Sequence, residues 1–124
     1  MTVEELYNEI GGNYNEAIGR MMSDAFVERF IVKFLDDDTC ANIMVSWSDH
    51  DEEATFKASH AAKGVCGNLA LPELASLATE ITEALRPGNE ELRAKTDIDA
   101  LVAEFEAKYR KTEQCIREFA NASK

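Results

Sequence analysis

Proline is scarce in this sequence, limited to Pro72 and Pro87, and the stretches between breakers are filled with Ala, Leu, Glu, Lys and Met, all good helix formers. That shortage points to an all-helical chain. Long apolar runs are missing too: none approaches the roughly 20 residues needed to cross a bilayer. The opening MTVEELYNEI carries acids where a secretory signal would carry bases, so the chain reads as cytoplasmic. Cysteine is limited to Cys40, Cys66 and Cys115. An odd number at wide spacing, each among apolar neighbours, is the pattern of reduced core thiols and not of a disulfide framework. Bases number 13 against 24 acids, for a net charge of −11. Such a surface repels nucleic-acid phosphates and anionic lipid alike, so neither nucleic acid nor membrane is an expected partner.

What is present is 124 residues, 45% hydrophobic and 30% charged, enough to bury a core without disulfides or metals. One domain over 1–124 is expected. Short helices around Thr2 to Glu9 and Tyr14 to Met22 are separated by Gly11, Gly12 and Asn13. From Ser23, an N-cap by type, Phe26, Val27, Phe30, Ile31, Phe34 and Leu35 recur at helical spacing until Asp36, Asp37 and Asp38. Residues 1–38 therefore read as N-terminal helices packing on a bundle formed by 39–120. Thr39 is a second expected N-cap, opening a helix with Cys40, Ile43, Met44 and Trp47 on one stripe and ending at Ser48, Asp49 and an exposed His50. Helices follow over about 51–69, from Pro72 to the Arg86, Pro87, Gly88 closure, and over about 97–120. The short connections favour antiparallel neighbours. The expected fold is all-α: an antiparallel up-down four-helix bundle with short extra N-terminal helices.

On a wheel at about 100° per residue, with His60 as origin, Ala54, Thr55, Ala58, Ala62, Val65, Cys66 and Leu69 fall on the opposite half. This stripe faces the other helices, so His60 points away from the core. Within about 60° of it lie Glu53, Phe56, Lys57, Lys63, Gly64 and Gly67, which sets the imidazole between lysines one turn either side.

Attack on phosphorus needs a neutral imidazole, which histidine supplies readily at neutral pH. Neighbouring lysines favour that form. They then stabilise a phosphorylated ring whose charge approaches about −2 by analogy with other phosphorylated side chains. Lys57 and Lys63 suit both stages, although a lone lysine on a wet face is otherwise a solubilising charge. A glycine inside a helix costs about 1 kcal/mol relative to alanine, and Gly64 and Gly67 both lie on the His60 face. They supply bare backbone for a partner's approach, or else tight packing against a neighbouring helix. Phe56, apolar on this wet face, joins the same patch.

At 1.5 Å per residue, His60 lies roughly 12 Å below Asn68. In an antiparallel hairpin that level meets residues 79 to 83 of the next helix. Thr82 is the expected hydroxyl donor to the imidazole or a phosphoryl group, and Arg86, one turn further, an attractor of phosphate or of an acidic partner. Glu80 and Glu83 would repel a phosphate. A metal-binding bundle would need ligands converging from facing helices, such as paired Glu-x-x-His motifs. No Glu-x-x-His occurs, so no metal site or cofactor is expected.

Ser59, His60, Ala61, Ala62, Lys63 and Gly64, with Asn68 and Leu69, resemble the signature of histidine phosphotransfer domains, in which the order is histidine, two residues, lysine, glycine. The resemblance extends upstream to Phe34, Leu35 and Asp51, continues downstream through Leu74, and covers most of the chain after Ser23. It departs from the family at Ala70, where glycine is usual, and at Ala62, which is often leucine. The resemblance implies a phosphoacceptor at His60 Nε2, with Lys63 steadying the phosphoryl oxygens and Gly64 admitting a receiver domain. Phe56, Gly64, Gly67 and Asn68 make the expected docking face.

The resemblance further implies a monomeric phosphorelay intermediate, served by response-regulator receiver domains and a hybrid sensor kinase, with Mg²⁺ belonging to the receiver's aspartate site. Such proteins do not phosphorylate themselves, and neither a Gly-rich phosphate loop nor a kinase motif occurs here. The alternative is a helical interaction module that docks on a receiver or sensor kinase without transferring anything. Such a module has no use for histidine and lysine together on its docking face.

Overall fold

A computed structural model of the protein describes residues 1–122. Its elements are α1 (Val3–Glu9), α2 (Tyr14–Met21), α3 (Asp24–Lys33), α4 (Thr39–Ser48), α5 (Glu52–Asn68), α6 (Pro72–Leu85), α7 (Glu90–Lys95) and α8 (Ile98–Ala122), with a 3-10 turn over Phe34–Asp36. No strand occurs among the described residues. The all-helical bundle is as the periodicity implies. α5 packs between α4 and α6, and α8 closes the ring against both. Its core is built from Ile43 of α4, Ala62 and Cys66 of α5, Leu74, Ala78 and Ile81 of α6, and Phe105, Tyr109 and Ile116 of α8.

Local chemistry starts most helices where polar caps stand. Thr2 and Glu5 form a reciprocal capping box, and the side chains of Asn13, Ser23 and Asp51 each accept an N–H from the first turn that follows. α4 is different from expectation. Thr39 lies inside the helix and Asp38 is the N-cap, without a side-chain cap bond; the Thr39 N–H instead donates to Asp37 Oδ1 at 2.8 Å, so a carboxylate of the acidic run satisfies the first N–H. A second departure is α7. The sequence reads there as a connection, but its turns are tied to the bundle by Arg93, which bonds Glu52 and lies 5.9 Å from the Trp47 ring centre.

The N-terminal helices close over the turn between α5 and α6. Buried Tyr7 donates its hydroxyl to the Leu69 carbonyl at 2.8 Å, the Asn13 N–H donates to the Ala70 carbonyl at 2.8 Å, and Arg20 donates to the Gly67 carbonyl. A Cβ at Gly12 would come within 2.5 Å of the Tyr7 ring, so this approach requires glycine. α3 buries Val27 and Ile31, but Phe26 and Phe30, read as members of the same stripe, are 48% and 44% exposed and stack on each other. These N-terminal helices form a lid in which α3 turns only one edge inward, narrower than its apolar stripe.

α5 ends in a Schellman motif. The Leu71 N–H donates to the Cys66 carbonyl at 2.9 Å and the Ala70 N–H to the Gly67 carbonyl at 3.1 Å. This geometry needs a left-handed residue at position 70, and Ala70 adopts it with φ 58° at about 1 kcal/mol above glycine. The alanine therefore alters the stability of the ending and not its shape.

Candidate functional site

His60 stands midway along α5, exposed, while Thr55, Ala62 and Cys66 of the opposite stripe are buried, together with Ser59 at its edge. The buried stripe is narrower than the wheel implies, since Ala54, Ala58 and Val65 are only half-buried. Ser59 is the residue that sequence reasoning missed. A serine beside an exposed histidine carries no apolar signal, and it goes inward because its hydroxyl is satisfied there.

Its partner is Thr82, which had been expected at the phosphoryl site. The side chain of Thr82 is fully buried. Its Oγ1 lies 2.9 Å from Ser59 Oγ and 2.7 Å from the Ala78 carbonyl, and Ser59 Oγ lies 3.0 Å from the Phe56 carbonyl. Two hydroxyl protons are shared among these contacts, so both are committed inside the core. Thr82 thus serves as a pin between α6 and α5 directly behind His60, and the expected hydroxyl bond to the imidazole is not made.

The two lysines differ. Lys57 pairs with Glu53 at 3.3 Å across one turn, with both side chains largely exposed. Lys63 is exposed, and among the described residues no carboxylate lies within 4.0 Å of its ammonium. It borders a cleft of about 380 Å³ that also involves Arg20, Gly67 and Thr79.

Phe56 is half-buried and stacks on His60, with centroids 6.4 Å apart and planes at 22°. The Arg86 guanidinium lies 5.5 Å from the centre of the Phe56 ring and forks onto Glu83, Nε to Oε2 at 3.1 Å and a terminal nitrogen to Oε1 at 3.0 Å. Arg86 thus lies against Phe56, the ring that stacks on His60, and it already holds an acid. Glu83 keeps its carboxyl below the usual range, chiefly through the Arg86 hydrogen bond against an opposing effect of burial, with the positive charges of Arg86, Lys63 and His60 adding to it.

Gly64 is exposed and Gly67 half-buried, and a Cβ built on either meets nothing within 4 Å. The tight-packing explanation for these glycines is thereby removed within this chain. Asn68, also exposed, borders a separate small cleft with Phe30, Val65 and Leu69, so it sits toward α3 and off the line of His60 and Gly64.

Cys40 and Cys66 are buried free thiols that share a hydrogen bond, with their sulfurs 3.7 Å apart, and Cys115 is half-buried. Among the described residues no group of three or more His, Cys, Asp or Glu side chains is arranged to hold a metal ion, and no helix is long and apolar enough to cross a membrane. A protein-family model, described as Hpt domain, matches residues 30–114, which span α4, α5, α6 and α7 and most of α8. Among curated proteins and among solved structures no match is found.

Proposed function

The chain belongs to the Hpt domain family, and from that premise we propose that it is a phosphorelay intermediate whose His60 accepts a phosphoryl group from one receiver-domain aspartate and passes it to another. Hpt domains act in phosphorelays as histidine phosphotransfer modules that meet receiver domains and kinases. The observation that carries the finer reading is the outer face of α5, where an exposed imidazole stands beside a lysine that has no ion pair among the described residues and two glycines whose missing side chains would point into open space.

In the forward step the lone pair of His60 Nε2 forms the bond to phosphorus as the bond from phosphorus to the aspartyl oxygen breaks. The electron pair leaves with the carboxylate, and the ring retains its proton at Nδ1. The return step is the reverse on a second receiver. Lys63 supports the phosphoryl oxygens in both directions, Arg86 is a second cation within the same neighbourhood, and Lys57 contributes field only, being paired with Glu53. Gly64, Gly67 and Phe56 form the contact face, extended by Asn68. Mg²⁺ belongs to the receiver's aspartate site, the chain brings no cofactor, and it works as a cytoplasmic monomer. It is a carrier without autokinase activity.

The test is incubation with a phosphorylated receiver from the same cell, followed by assay for acid-labile phosphate on the chain. Label on His60 supports the reading. Tight binding without label would make the protein a docking module that transfers nothing.

A further inference from the structure

Transfer chemistry at His60 calls for cations, yet α6 brings a carboxylate to the same place. Glu83 is held by a fork from Arg86, whose guanidinium covers the Phe56 ring that in turn stacks on the imidazole. Resting on the phosphotransfer reading above, we propose that Glu83 is a resident counter-anion: it occupies Arg86 while His60 is unmodified, then competes with the phosphoryl group for Arg86 and Lys63 and so shortens the life of phosphohistidine.

The argument is one of charge. A phosphoryl group brings nearly two negative charges into a neighbourhood where Arg86 is already neutralised and Lys63 has no ion pair among the described residues. Glu83 lies close enough to the site to feel the charge of Lys63 as well as that of Arg86, so a dianion on the ring is repelled by it and shares its cations. Arg86 must leave a two-pronged carboxylate contact before it can serve the phosphoryl oxygens. Each effect raises the energy of the phosphorylated state relative to the free imidazole. A relay gains from this, because a weakly held phosphoryl group passes onward readily.

Two readings of the Glu83–Arg86 pair predict different signs. If the pair only fastens a turn of α6, losing either member disturbs phosphohistidine in the same direction. If Glu83 competes for the cation, Glu83→Gln lengthens its life and Arg86→Gln shortens it.

The experiment uses the full chain, phosphorylated chemically with phosphoramidate so that no receiver is required, with the label located on His60 by peptide mass spectrometry because His50 is also exposed. In hydrolysis the nitrogen–phosphorus bond breaks with its electron pair left on the ring, a water oxygen bonds phosphorus, and the water protons are taken up by imidazole and phosphate. Phosphorus NMR follows that loss. Glu83→Gln is expected to hold phosphate about two to five times longer than the native protein, the scale of one charge interaction at a part-exposed site, and Arg86→Gln to lose it faster. Unchanged lifetimes, or shifts of the same sign in two variants with native circular dichroism, overturn the proposal. Failure of receivers to label His60 would overturn the relay reading alone, since the chemical lifetimes do not depend on it.

Discussion

His60→Gln keeps size and polarity at an exposed position, so folding stability should change by less than about 0.5 kcal/mol while acceptance of phosphate from a receiver disappears. Thermal unfolding and radiolabel transfer measure the two separately, and transfer surviving in the variant would remove His60 from the chemistry. Lys63 and Lys57 lie one turn either side of it, but they are not equivalent. Lys57 is already paired and both partners are largely exposed, an arrangement whose charges are well screened. Lys63→Ala should therefore slow transfer about tenfold, the scale of one charge-assisted contact, and Lys57→Ala much less. Equal rates for the two variants, in single-turnover transfer, would deny the special place of Lys63. The same comparison of neighbours explains Thr82: one position past buried Ile81 on the helix, it was open to either side, and its hydroxyl found Ser59 in the core.

At the scale of the element, α5 carries two glycines that its own fold does not require. Because a Cβ at position 64 meets nothing, Gly64→Ala should raise stability by about 0.5–1 kcal/mol through helix propensity alone. Gly64→Gln should fold as well and yet fail to bind or accept from its receiver, since the longer side chain occupies the approach to the imidazole. Denaturant unfolding paired with binding of the receiver distinguishes the cases. Normal transfer by a stable Gly64→Gln protein would return the glycine to an unexplained feature of the helix. The ending of the same element shows the opposite economy: Ala70 holds a left-handed conformation that glycine would take more easily, and it is buried with its carbonyl bonded to the Asn13 N–H.

For the whole molecule, Tyr7 joins the lid to the bundle through its bond to the Leu69 carbonyl, and burial pushes its phenol up to about 12 from an ordinary value of 10. The folded state thus keeps the proton more tightly than the unfolded one. Its contribution is complete below about pH 10 and is lost as pH rises from there toward 12, a change of roughly 2–3 kcal/mol for such a shift. Tyr109, raised to about 12 by burial first and by Glu113 next, acts in the same window. Unfolding followed across pH 9 to 12 should show a steep fall in stability that Tyr7→Phe reduces, at the expense of about 1 kcal/mol near neutrality for the lost hydrogen bond. An identical alkaline slope in Tyr7→Phe would remove Tyr7 from this role.

The helical class, the exposure of His60 and the cations on its face are legible from residue order, because a 3.6-residue period fixes which side chains share a face and side-chain chemistry travels with the residue. The family signature is local for the same reason: it lies on one helix. Tertiary structure alone decided what faces one helix from another. The rotation of α6 sent Thr82 into the core and brought Glu83 to the site with Arg86, which had read from sequence as a repellent residue and a free cation. The edge of the lid left Phe26 and Phe30 in solvent although their spacing matches Val27 and Ile31, and Arg93 made a helix of a segment with no buried residue of its own. In each case the deciding energy is a contact between distant parts of the chain, and periodicity within one helix cannot encode the angle at which its neighbour packs.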